Sequence, residues 1–136
     1  MNWRVKGLAQ KTLSVLPGGV LVNDLLQRTV GGLRHFDQVV RDKVHQDWLV
    51  LMAHLAELEV SPRDRRYVEI GTGWFPTLPV CFHLAGAASV VSYDLRRHLN
   101  PRLTERLLPA LEPHLTAIAT AAGRPLPDVQ IGRAHV

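Results

Sequence analysis

The stretch YVEIGTGWFPTLPVCFHLAGAASVVSYD, residues 67–94, decides how the chain folds. Tyr67-Val68-Glu69-Ile70-Gly71 is a short apolar run closed by a glycine, which predicts a buried strand. Thr77-Leu78-Pro79 opens a helix, because proline is tolerated in a first turn where the amides lack intrahelical partners. Ala85-Gly86 closes that helix. Ser89-Val90-Val91-Ser92-Tyr93-Asp94 is a second run rich in β-branched residues, so a second strand follows.

Outward from this stretch the chain is helical. Upstream, Phe36, Val40, Val44, Trp48, Met52 and Leu55 recur every three or four residues, and they predict a helix from about 36 to 58. Residues 1–33 read as short helices punctuated by Pro17-Gly18-Gly19 and Gly31-Gly32. Downstream, Asn100-Pro101 caps a further helix that ends at Gly123, with Pro109 and Pro113 expected to kink or split it. Strand, helix, strand, helix is the order that builds a parallel α/β sheet.

The chemistry concentrates at the end of the first strand. Gly71 and Gly73 let the chain turn sharply and let a ligand approach the backbone. Asp94 stands at the end of the next strand, where an acid in a doubly wound sheet meets a ribose diol; two hydroxyls can donate to one carboxylate. A dinucleotide site wants G-x-G-x-x-G, and here the third position is Pro76, which also lacks an amide donor. Glu69, two residues before the first glycine, would repel a pyrophosphate and suits a ligand carrying an ammonium group. An NAD(P)-dependent oxidoreductase and a non-catalytic nucleotide-binding fragment remain the alternatives.

Val68-Glu69-Ile70-Gly71-Thr72-Gly73, followed by Asp94 at the end of the next strand, resembles the first two motifs of class I S-adenosylmethionine-dependent methyltransferases. The resemblance implies a Rossmann-like parallel sheet, of which two or three strands are present, flanked by helices and preceded by a helical N-terminal extension. It implies that Glu69, Gly71, Thr72 and Gly73 wrap the methionyl part of S-adenosyl-L-methionine. Asp94 would bind the ribose, Leu95 would pack on the adenine, and Trp74 with Phe75 would partly cover the cofactor. Phe75 stands where the family usually has a third glycine. The likeness spans residues 67–123, so the chain is expected to be a cofactor-binding N-terminal portion, inactive alone, and no catalytic residue is assigned.

Composition adds bounds. The 136 residues carry a formal net charge of +4 and are 6% aromatic, with no block of like charges and no basic stripe. That favours a small-molecule or glycan acceptor over nucleic acid. Cys81 is the lone cysteine, which excludes an intrachain disulfide and fits a reducing, cytoplasmic setting. No apolar run reaches the ~18 residues of a membrane span. The seven histidines form no metal-binding motif, and oligomeric state is not encoded in any pattern. The chain is expected to divide into an extension over 1–62 and a cofactor-binding half over 63–130. The segment 131–136, Ile-Gly-Arg-Ala-His-Val, resembles a translated sequencing adapter and reads as a non-native tail.

Overall fold

The structure is a computed structural model of the chain and describes residues 35–95 and 98–125. The expected helices of 1–33, the tail at 131–136, and Arg96 and Arg97 lie outside the described residues. The chain divides into two compact units, Met1–Val39 and Val40–Val136. Only residues 35–39 of the first are described, and the account below is of the second.

The long helix forms, but not as one regular α-helix. It comprises α1 (Phe36–Asp42), a π-helical segment (Lys43–Trp48) and α2 (Leu49–Glu57). The side-chain spacing supplies the reason. Val40, Val44, Trp48 and Met52 are separated by four residues each time, whereas an α-helix turns every 3.6. Over three such steps a regular helix would carry the stripe round by about 120°. The wider i→i+5 turn takes most of that rotation back, and the Leu49 N–H reaches the Val44 carbonyl, five residues earlier. All four residues are buried, none more than 3% exposed.

Two strands follow, β1 (Arg66–Ile70) and β2 (Ser89–Tyr93), joined through α3 (Thr77–Leu84). They pair in parallel, with Val68 beside Val91, Glu69 beside Ser92 and Ile70 beside Tyr93. The start of β1 is pinned to the end of α3, since Asp64 N–H donates to Gly86 O (2.9 Å) and Ala88 N–H to Arg65 O (2.8 Å). The chain is thus mixed helix and strand, with a two-stranded parallel sheet among the described residues.

Helices pack on one face of that sheet. The Phe82 ring of α3 stacks on Tyr67 of β1 at 3.9 Å between centroids, and Trp48 meets the other side of Phe82 edge-on at 5.1 Å. Cys81, Leu84 and Ala85 complete this layer. The opposite face stays in water, with Val68, Ile70, Val91 and Tyr93 between 60% and 82% exposed. The expectation that the first strand is buried is therefore corrected: β1 alternates exposed and half-buried positions along its length. Its apolar residues point both ways, and among the described residues only the Tyr67–Glu69 side has helices to lie against.

The C-terminal helices brace the assembly. In α4 (Pro101–Leu111) the Asn100 Oδ1 accepts from Leu103 N–H at 3.3 Å, the capping bond expected of Asn before a helix. The helix runs through Pro109 and breaks at a 3-10 turn, Glu112–His114, which contains Pro113. Helix α5 (Leu115–Ala121) then ends at Gly123 with φ +66°. There Arg124 N–H bonds Ala119 O and Gly123 N–H bonds Thr120 O, the paired bonds of a left-handed helix stop. The Arg124 guanidinium donates to Leu84 O at 2.6 Å, tying α5 to the end of α3.

Candidate functional site

The site grows from the last rung of the sheet. Gly71 N–H donates to Tyr93 O at 2.7 Å, one residue past the end of β1. The chain then turns through two left-handed residues, Gly71 at φ +87° and Gly73 at φ +75°. There the Cβ of an L-residue would crowd the following carbonyl, at a cost of roughly 1–2 kcal/mol. A Cβ built on either glycine would touch nothing within 4 Å. The glycines are therefore favoured by the backbone conformation, and the side of the turn they leave bare is open.

Both predicted acids meet this turn. Glu69 faces the helical side of the sheet, and its Oε2 accepts from Thr72 Oγ1 at 2.7 Å and from Ser92 Oγ at 3.1 Å. Asp94 Oδ2 accepts from Gly73 N–H at 2.9 Å. Bonds to an ionised carboxylate are among the strongest a turn can use, so the two acids hold the loop that lies between them. Thr72 is buried. Its hydroxyl turns inward to position Glu69, a role the sequence did not suggest.

Past the turn, Trp74 O accepts from Asn100 N–H at 3.0 Å, joining the loop to the start of α4. The Trp74 ring lies 5.4 Å from that of His98, tilted by 44°. Trp74 is half-buried and Leu95 is 86% exposed, so both are accessible beside Gly73 and Asp94. Phe75 is not. It is 5% exposed, and the expectation that it helps cover a ligand is corrected: the residue in the third-glycine position turns into the core.

The chain matches no family model, no curated protein and no solved structure.

Sequence reasoning missed Ser92 and Asn100 as parts of this network. Ser92 had a usable signal. Once the strands are paired in register, it stands beside Glu69, and a hydroxyl is the natural donor to a carboxylate in that position. Asn100 was legible as a helix cap but not as a partner of Trp74.

A groove of about 250 Å³ adjoins the site, lined by Leu51, Leu55, Tyr67, Val68, Glu69, Leu78, Phe82 and Val90. Glu69 is the sole charge in its lining and the one residue it shares with the hydrogen-bonded turn. Burial pushes the Tyr67 phenol above its ordinary pKa, partly offset by the Arg65 guanidinium. Among the described residues no cluster of histidine, cysteine or carboxylate side chains could hold a metal ion. Nor is any described helix long and apolar enough to cross a membrane.

Proposed function

We propose that this chain binds S-adenosyl-L-methionine at the Gly71–Gly73 turn and belongs to a methyltransferase. One observation carries the reading: Glu69 and Asp94, from the ends of two adjacent strands, converge on one glycine turn whose Cβ side is open. That arrangement suits a ligand with an ammonium group at one end and a ribose diol at the other. Glu69 would take the ammonium, the bare backbone of Gly71 to Gly73 would admit the methionyl chain, and Asp94 would accept from the ribose hydroxyls. Leu95 and Trp74 supply apolar surface of the kind an adenine ring packs against.

When bound, S-adenosylmethionine would supply an activated methyl group for transfer to a nucleophilic acceptor, with Glu69 and Asp94 as the residues that would hold its two ends. The residues described here bind and orient. Holding two reactants in line and close accounts for most of the rate advantage available to such a displacement. The acceptor we favour is a small molecule. The apolar groove beside Glu69 is smaller than the ~300–1,000 Å³ of drug-sized ligand pockets, and aromatic residues are only 6% of the chain, a poor supply for stacking the bases of a nucleic-acid strand.

Isothermal titration of the purified chain with S-adenosylmethionine, S-adenosylhomocysteine and NAD tests the reading. Saturable binding of both adenosyl amino acids, without binding of NAD, is the expected result. Binding of NAD alone would reassign the site to a dinucleotide, and binding of none of the three would remove the cofactor from the proposal.

A further inference from the structure

We infer that the groove beside Glu69 takes the apolar body of the methyl acceptor, and that this acceptor is a small aryl or alkyl alcohol or amine, not a carboxylate, a phosphate or a glycan. That the ligand is an acceptor rests on the cofactor reading above; its chemical class follows from the groove alone. The walls are apolar, with Leu51 and Leu55 from α2, Leu78 and Phe82 from α3, and Val90 from β2. A cavity of ~150 Å³ walled by leucine, isoleucine and phenylalanine stays dry and binds benzene. At about 250 Å³ this groove has room for one ring with a short tail, or for an alkyl chain of similar bulk. Beside Glu69, the other polar side chain in the lining is Tyr67, and its hydroxyl is buried. A glycan would therefore leave its own hydroxyls unpaired against these walls, which is costly.

Charge narrows the class further. The hydroxyls of Thr72 and Ser92 donate to Glu69 Oε2 at 2.7 and 3.1 Å, so the carboxylate keeps its place where the groove meets the glycine turn. Among the described residues the lining supplies no cation to offset it. An anionic ligand drawn into the groove would bring a second negative charge beside Glu69, and like charges brought together reject the wrong partner. A neutral alcohol meets no such repulsion, and an ammonium is attracted. That attraction is the one the cofactor's own ammonium would use. An amine should therefore lose its advantage over an alcohol once the cofactor is bound.

NMR titration of the full chain with phenethylamine, phenethyl alcohol and phenylacetate tests the assignment, since the three share a ring and a carbon count and differ in charge. The amine should bind most tightly, and phenylacetate roughly tenfold or more weakly than the alcohol. Glu69→Gln should bring the three affinities together. Leu55→Trp, which fills the groove, should abolish binding of all three and leave S-adenosylhomocysteine binding intact. Saturating S-adenosylhomocysteine should leave the alcohol's affinity unchanged and lower the amine's to match it. Phenylacetate binding as well as the alcohol would overturn the inference. So would the absence of binding by all three, or binding indifferent to Leu55→Trp. Displacement of the alcohol by S-adenosylhomocysteine would overturn the acceptor role, because an acceptor and its methyl donor must be bound together. A chain that binds the alcohol and amine as expected but no S-adenosylhomocysteine would overturn the cofactor reading, and with it the acceptor role, while upholding the ligand class of the groove.

Discussion

At the scale of single residues, the turn at 71–73 separates two demands that glycine meets. One is conformational: φ +87° and +75° exclude a Cβ on grounds of local strain. The other is spatial, because the Cβ side is open and available to a ligand. Gly73→Ala distinguishes them. Left-handed backbone costs an L-residue roughly 1–2 kcal/mol, so unfolding should shift to lower urea by that amount, while the loss in affinity for S-adenosylmethionine should be larger still. Equal losses would show that the turn only folds the loop. Asp94→Ala should weaken adenosyl-ligand binding by about 1–3 kcal/mol, the scale for a lost buried hydrogen bond to a charged group. It also leaves the Gly73 amide without its carboxylate. Calorimetry on Asp94→Asn, which preserves an acceptor oxygen for Gly73 and removes the charge, should show an intermediate loss.

At the scale of elements, the layers are held by one aromatic column. Trp48 from the π segment meets Phe82 of α3 edge-on, and Phe82 stacks on Tyr67 of β1, with Trp48 fully buried. Trp48→Ala should cost about 3–5 kcal/mol, as truncation of a buried large aromatic does, read as a fall in the urea midpoint. The π segment has a more specific test. Its wide turn absorbs one residue more than a regular α-helix would, so deleting one exposed residue, Gln46, leaves the four core positions spaced 4, 3 and 4, which a 3.6-residue turn keeps on one face. We expect urea unfolding of that deletion to stay close to that of the parent chain, whereas deleting the buried Trp48 should destabilise it strongly. At the entry to α4, Asn100→Ala should cost about 1 kcal/mol, the usual worth of a side-chain N-cap.

At the scale of the whole molecule, the buried thiol links stability to pH. Burial pushes Cys81 up to about 12 from its ordinary value of 9.0. The folded state therefore keeps the proton that the unfolded state releases, and stability rests on the neutral thiol. The contribution is fully present below 9.0 and is lost as pH rises toward about 12. The phenol of Tyr67, also pushed up by burial, acts in the same direction. Urea titrations across the alkaline range should show stability falling with pH, and the Cys81→Ala variant should show a shallower fall. An identical slope in the two proteins would place Cys81 in water. Native Cys81 should likewise resist alkylation until the chain is denatured.

The sequence by itself determined the order of elements and most of the turn that joins them. Gly71, Gly73, Asn100 and Gly123 could be read because helix caps and left-handed turns are local requirements, met by the residue types that suffer least there. The two acids could be read because strand-end chemistry depends on spacing along the chain. The bond between Ser92 and Glu69 could not, since it exists only once two strands distant in sequence settle in register. The π turn was latent in a spacing of four, but α and π helices differ by too little locally for the spacing to decide without the core it faces. Only the tertiary structure decided that Phe75 turns inward and that one apolar sheet face stays in water. Val68 and Ile70 are as apolar as the residues they alternate with, and which side of a strand is buried depends on what packs there, which no local pattern specifies.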